Sequence, residues 1–404
     1  MPDDARRMLV FAVGDVFIDR PDPSTAFSRS GDSFAGADIV FGNCEGVFSD
    51  RVERAPSCSA PVVAAGANAM PLAKAGFSVM SLANNHSVDG GHTGLLSCIR
   101  TLADLGIATV GAGATIAEAR TPAVLTGRSG TRVAFLAYSA VFPHGYEAHV
   151  GLPGIAPLRA HTRYTPWEVN EWAPGLMPKV TTEAVMEDMS ALGEDIRRAR
   201  TLADLVFVSC HWGDATQPAM LTDHEKRVAH HAVDAGADAV FGHHHHMLRG
   251  VELYAGRPIF YGLGNYLFDL PNLPERLKET GYLGSSDPAD RMAVRRRWGA
   301  YGIHPREGYP LLPFHEDSRL TGIAIVSAGK DGSLAAGFRP ALVGPDNEPV
   351  RVRPDSPEGR QVLEYLQACT DAEELGSRLI SPLPDSGLPD DCVQVVSGLP
   401  GAVQ

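Results

Sequence analysis

Cationic side chains are in short supply in this chain. Lys and Arg number 35 against 48 Asp and Glu, a formal net charge of −13. Non-specific binding to nucleic acid rests on an excess of cationic contacts to phosphate, so the composition argues against a nucleic-acid partner. Long apolar runs are also missing. No uninterrupted stretch approaches the roughly 20 residues of a membrane helix, and the first apolar run, Met8 to Val13, stops at Gly14-Asp15, too short for a secretory h-region. Cysteine is sparse and scattered: Cys44, Cys58, Cys98, Cys210, Cys369 and Cys392 form no Cys-x-x-Cys pair, which gives neither a zinc knuckle nor a disulfide framework. The expected setting is a reducing cytoplasm, away from any membrane.

What the chain does have is apolar mass and histidine. Hydrophobic residues make up 44% and charged residues 21% of 404, the balance of a globular chain with a sizeable core. Fifteen His stand out, because imidazole is a common ligand for transition metals.

Up to residue 270, short β-prone runs (9–13, 39–42, 79–82, 109–110, 133–138, 205–210, 239–241 and 259–262) alternate with helical stretches at 67–75, 94–105, 182–200 and 223–235. Thr222-Asp223-His224-Glu225 has the form of a helix N-terminus, acidic in its first turn. Several of the runs are apolar throughout, as expected for strands covered on both faces. This alternation predicts an α/β layered fold whose chemistry sits on loops at strand ends. Residues 143–181 and 271–318, rich in Pro and Gly, break the rhythm and read as lid-like insertions. Residues 320–350 return to a hairpin turning at Lys330-Asp331-Gly332. One domain over 1–350 is expected, with 351–404 forming a helix near 356–366 and a tail.

The informative residues fall where apolar runs end. Asp15 follows the first run and Glu45 the second; Asn84-Asn85-His86 follow the third. His211 and Asp214 close 205–210, His243 to His246 close 239–241, and Asn265 follows 259–263. Strand C-termini share one rim of a sheet, where α/β folds place ligands. Carboxylate, carboxamide and imidazole together suit divalent ions such as Mn, Fe, Zn, Co or Ni, without separating them from Ca, and the lack of thiolates argues against a structural zinc. Each piece has a plainer reading: Gly14-Asp15 as a turn, His211-Trp212 as a core pair, the His tract as a surface run. Six coincidences at six strand ends make the metal reading the better one.

The series Gly14-Asp15, Asn43-Cys44-Glu45-Gly46, Leu82-Ala83-Asn84-Asn85-His86 with Asp89 and Gly91, His211-Trp212-Gly213, Gly242 to His246, and Tyr261-Gly262-Leu263-Gly264-Asn265-Tyr266 resembles the CapA family of poly-γ-glutamate capsule synthesis, itself similar to calcineurin-type metallophosphoesterases. The resemblance covers about two-thirds of the chain. It implies a four-layer α/β/β/α sandwich with two divalent metals at one edge. By position, Asp15 would bind the first metal, Glu45 would bridge, and Asn85 and His211 would bind the second. His244 and His246 would serve one metal each, and His86 would be the general acid. The Asp-x-His pattern usual in metallophosphoesterases is broken here: Asp15-Val16-Phe17 lacks the imidazole.

Three functions follow from the resemblance and the residues. CapA-like proteins similar to this one include lasso-peptide epimerases, which invert the Cα of a C-terminal residue. That chemistry needs a metal at the carbonyl or carboxylate oxygen and two proton-transfer groups, for which His86 and Asp214 are the candidates. Tyr164, Trp167 and Trp172 would form an apolar groove for a peptide, and Arg295, Arg296 and Arg297 would hold its carboxylate, unless that Arg run is a solvated loop. The second function is metal-dependent hydrolysis of a phosphoester or amide bond. The third is an accessory role in polyglutamate assembly, which the acidic charge disfavours. Oligomeric state is not legible.

Overall fold

The computed structural model describes residues 7–398 apart from 31, 59, 174, 274 and 277–305. Strand Met8–Phe17 shows how a continuous apolar run builds two cores at once. Side chains alternate across a strand, so Val10 and Ala12 face one way and Phe11 and Val13 the other. Val10 and Ala12 join Phe41, Phe135, Phe207 and Phe241 in a core lying between two sheets, whereas Phe11 and Val13 join Met80, Cys98 and Leu102 beneath a helix. Phe41 lies 5.5 Å from Phe135 and 5.8 Å from Phe241, ring centre to ring centre, stacking one sheet against the other. Truncating such a ring costs about 3–5 kcal/mol.

Among the described residues the first sheet has ten strands. Its parallel half runs Met8–Phe17, Ile39–Cys44, Val79–Ser81, Ala108–Val110, with Asn265–Phe268 paired parallel to the C-terminal end of the first. Its antiparallel half includes the long hairpin Leu320–Ala328 and Leu334–Val343. The second sheet has six strands, with Leu205–His211 parallel to both Arg132–Ser139 and Ala239–His243 at its centre. Helix Gly91–Asp104 covers the outer face of the first sheet. Helices Met186–Arg200 and Asp223–Asp234 cover the second, through Leu192, Ile196, Val228 and Ala232 against Leu136, Val206, Val208 and Val240. The layers are therefore α/β/β/α, as the sequence leads one to expect. Among the described residues no helix is long and apolar enough to cross a membrane.

Three expectations change. Residues 143–181 are not irregular throughout: Ala160–Thr165 and Lys179–Ala184 pair as an antiparallel hairpin. The first strand is largely solvent-facing and no residue of the second is fully buried, so neither carries the apolar alternation that marks a strand with one face in the core. The helix expected over 182–200 begins at Met186, because the β-branched run Val180-Thr181-Thr182 belongs to that hairpin and the first acidic pair, Glu187 and Asp188, follows only later. The segment after residue 350 is more than helix and tail. Helix Pro357–Ala372 is capped by Ser356, and Ser377–Ile380 and Val393–Ser397 add two strands to the ten-stranded sheet, Val393 and Val395 entering the inter-sheet core.

Candidate metal centre

Strand register places the site. Asp15 lies level with Asn43 on one side and Asn265 on the other; Asp15 and Asn43 are near the C-terminal ends of their strands, and Asn265 begins the strand that pairs parallel with the first. In the facing sheet His211 lies level with His243. Gly14 makes the crossing possible: the Asp15 N–H donates to the Gly264 carbonyl at 2.8 Å, and a Cβ on Gly14 would collide with that oxygen. The pairing of the first strand slips between Asp15 and Val16, which turns Asp15 inward at the rim.

Two donor groups converge there. Glu45, His211 and His244 form one; Asp15, Glu45 and His246 form the other; within each, one ligand atom per residue lies within 4.8 Å of the rest. Glu45 belongs to both. Its Oε1 lies 3.7 Å from His211 Nε2 and 3.8 Å from His246 Nε2. Asn85 joins the first group, its Oδ1 2.6 Å from His211 Nε2. Asp15, Glu45 and His211 are buried and form a floor, whereas Asn85, His86, His244 and His246 are half-buried and form a rim open on one side.

The electrostatics leave this floor unbalanced. Both Glu45 oxygens and Asp15 Oδ2 are buried without a hydrogen-bond partner among the described residues, a condition few buried acceptors tolerate. Burial, then the neighbouring Asp15 and Asp89, push the Glu45 carboxyl well above its ordinary range. Burial also raises Asp15, but His243, His246 and Asn43 outweigh it and hold that group low. Burial and neighbouring imidazoles keep His211 and His244 far below the usual histidine value, hence neutral, which is the form that ligates metals. Unpaired carboxylate oxygens facing neutral imidazoles fit a divalent cation.

Surrounding groups orient the donors, as outer partners do in metal sites. Asn43 Nδ2 donates to Asp15 Oδ1 at 2.8 Å and lies 3.4 Å from His211 Nδ1. His243 Nδ1 is 3.5 Å from the same Asp15 oxygen, so both leave Oδ2 for the cluster. Asn265 Oδ1 holds His246 Nδ1 at 2.9 Å, directing Nε2 towards Glu45. Phe17, where the resemblance leads one to look for an imidazole, stacks on Phe48 in the core. Phe268 and Phe314 flank His246, with ring centres 5.3 and 4.4 Å away. Asn43, His243 and Asn265 were visible in the strand-end motifs, but nothing in their spacing marks them as orienting groups.

The remaining candidates divide. His86 is at the rim, outside both donor groups, its Nδ1 2.7 Å from Asp89. Asp214 is in neither group; its Oδ1 accepts from the Thr216 N–H at 2.7 Å and the Thr216 hydroxyl at 2.6 Å, closing a turn. Tyr164, Trp167 and Trp172 do not line a groove among the described residues: they stand exposed on the hairpin arm. The arm is nonetheless rooted beside the site, since Thr182 bonds Asp223 and His224, one residue from the Glu225 that contacts His245. Arg295, Arg296 and Arg297 lie outside the described residues.

Fold and site together define an α/β/β/α protein with two overlapping donor groups that could hold a metal ion at one sheet edge. Residues 9–270 match the family described as bacterial capsule synthesis protein PGA_cap, and the chain belongs to that family. Among curated relatives it is 30% identical over 195 residues to the PGA biosynthesis protein CapA of Bacillus subtilis, covering 48% of this chain and 43% of that protein. It is 33% identical over 198 residues to a probable polyglutamine synthesis accessory protein of Mycobacterium tuberculosis, covering 47% and 45%. These matches span less than half the length of either relative. Of solved structures, a putative 5'-nucleotidase of Staphylococcus aureus aligns over 94% of this chain and 60% of its own, at 12% identity and a TM-score of 0.39.

Proposed function

We propose that the chain is a divalent-metal-dependent enzyme that inverts a Cα in a peptide, with two ions sharing Glu45. The single observation behind this reading is the membership of Glu45 in both donor groups, with neither oxygen hydrogen-bonded among the described residues. Bound ions would supply Lewis acidity, stabilising negative charge on a carbonyl or carboxylate oxygen of the substrate. His86 moves one of the two protons: with Nδ1 held by Asp89, its Nε2 is left to exchange a proton with one face of Cα, and solvent water exchanges the other on the opposite face. The exposed aromatics on the arm rooted beside the site suit a peptide better than a small phosphoester. The proposed setting is the reducing cytoplasm, which six free cysteines suit.

Hydrolysis of a phosphoester or amide bond is the second reading, and Asp214 favours it. A carboxylate tied into a turn by Thr216 is poorly placed to be a second proton shuttle, and hydrolysis requires only one acid, His86. Incubation with a candidate precursor peptide in deuterated water separates the readings. Epimerisation gives one deuterium at one Cα and no cleavage; hydrolysis gives fragments; an accessory role in capsule polymer assembly gives neither. Chelation is expected to abolish whichever reaction appears, and turnover undiminished by a chelator would contradict both enzymatic readings.

A further inference from the structure

The tract from His243 to His246 holds its donors in a backbone that histidine rarely adopts. His244 and His246 have φ of 92° and 56°, in the left-handed region that favours glycine, so both conformations persist only where the surroundings impose them. Each belongs to a different donor group, and His245 lies between them. Its side chain is fully buried, and its Nε2 meets Glu225 Oε1 at 2.9 Å. The other Glu225 oxygen accepts from the Thr222 N–H at 2.6 Å and from the Thr222 hydroxyl at 2.7 Å, closing the capping box of helix Asp223–Asp234. One carboxylate thus fastens the middle of the tract to the start of a helix. Gly213, two residues after His211, leaves room for this: its φ is +84°, and a Cβ there would collide with the His245 ring and come within 2.8 Å of both Glu225 oxygens.

We infer that Glu225 and His245 are positioning residues for the metal centre, setting the separation and facing of His244 and His246 across Glu45. A turn with two left-handed residues is free to relax once its central side chain is released, and either imidazole would then leave its donor group. The inference rests on the metal-centre reading proposed above.

Titration of the full chain with Mn²⁺ alone, followed by calorimetry and by the paramagnetic resonance spectrum of the bound ion, tests it. Glu225→Ala and His245→Ala are expected to weaken Mn²⁺ binding about 10- to 100-fold and to change the spectrum at saturation. Glu225→Gln, whose amide still reaches His245, should bind close to the unmodified chain. Ile196→Ala, a cavity in the outer helical layer, should lower Tm without changing affinity or spectrum. Should Glu225→Ala fail to fold, His245→Asn, too short to reach Glu225, carries the same test. Unchanged affinity and spectrum in folded His245→Ala would overturn the positioning role while leaving the metal centre standing. Equal loss in Glu225→Gln and Glu225→Ala would overturn it too, since charge and not the hydrogen bond would then matter. An unmodified chain that binds no Mn²⁺ overturns the metal-centre reading and this inference together.

Discussion

His86→Ala is expected to lower turnover by about 10²- to 10⁴-fold while leaving metal content near that of the unmodified chain. The two halves of this expectation come from different parts of the geometry. His86 belongs to neither donor group, so removing it takes no ligand away. Its ring is part-exposed at the open rim, with Nδ1 anchored on Asp89 Oδ2 at 2.7 Å and the opposite nitrogen left for substrate. Asp89 is itself fixed: the Tyr146 hydroxyl donates to Oδ1 at 2.7 Å and the Val62 N–H to Oδ2 at 2.8 Å. Asp89 therefore orients the imidazole as the carboxylate does in acid–base dyads, and Asp89→Asn should lower turnover less than His86→Ala. Metal analysis beside steady-state kinetics checks both halves. Full activity in His86→Ala would remove this residue from the mechanism.

Glu45→Gln is expected to act in opposite directions on the metal-free and metal-loaded protein. Burial, Asp15 and Asp89 disfavour the ionised carboxylate, so the folded value lies well above the unfolded one. A group raised in this way contributes stability below its unfolded value of 4.5, and loses that contribution as pH rises through the folded value. The uncharged amide removes the penalty. Metal-free Glu45→Gln should therefore melt at a higher temperature than the metal-free unmodified chain near about pH 8, the gap closing towards about pH 4. With metal present the order reverses, because the shared anionic donor is gone and affinity falls by more than about 100-fold. Thermal melts at both pH values, with chelator and with Mn²⁺, test this. A stabilising effect of Mn²⁺ as large in Glu45→Gln as in the unmodified chain would show that Glu45 holds no metal.

The sequence carried the layer order because each central strand was an apolar run long enough to feed two cores, as Phe11 and Val13 against Val10 and Ala12 do. It carried the donors because Asp15, Glu45, Asn85 and His211 each follow such a run. It could not carry the conformation of four consecutive histidines. Which two face Glu45 depends on left-handed backbone at His244 and His246, and that depends on a glutamate some twenty residues upstream whose local pattern is only that of a helix cap. The hairpin arm was hidden for another reason: its strands bury little, so they lack the alternation by which strands are recognised, and Pro and Gly on both sides obscure their ends. Asp214 looked like a proton-transfer group because it follows His211 closely, but its proximity in sequence serves the Thr216 turn.

The central claim is that one buried carboxylate, Glu45, is shared by two metal positions. Crystals grown with Mn²⁺ and measured for anomalous scattering test it most directly. Two peaks are predicted on either side of Glu45, each about 2.0–2.2 Å from a carboxylate oxygen. One should face Asp15 and His246, and the other Asn85, His211 and His244. A map with no peak at coordinating distance from Glu45 would contradict the account.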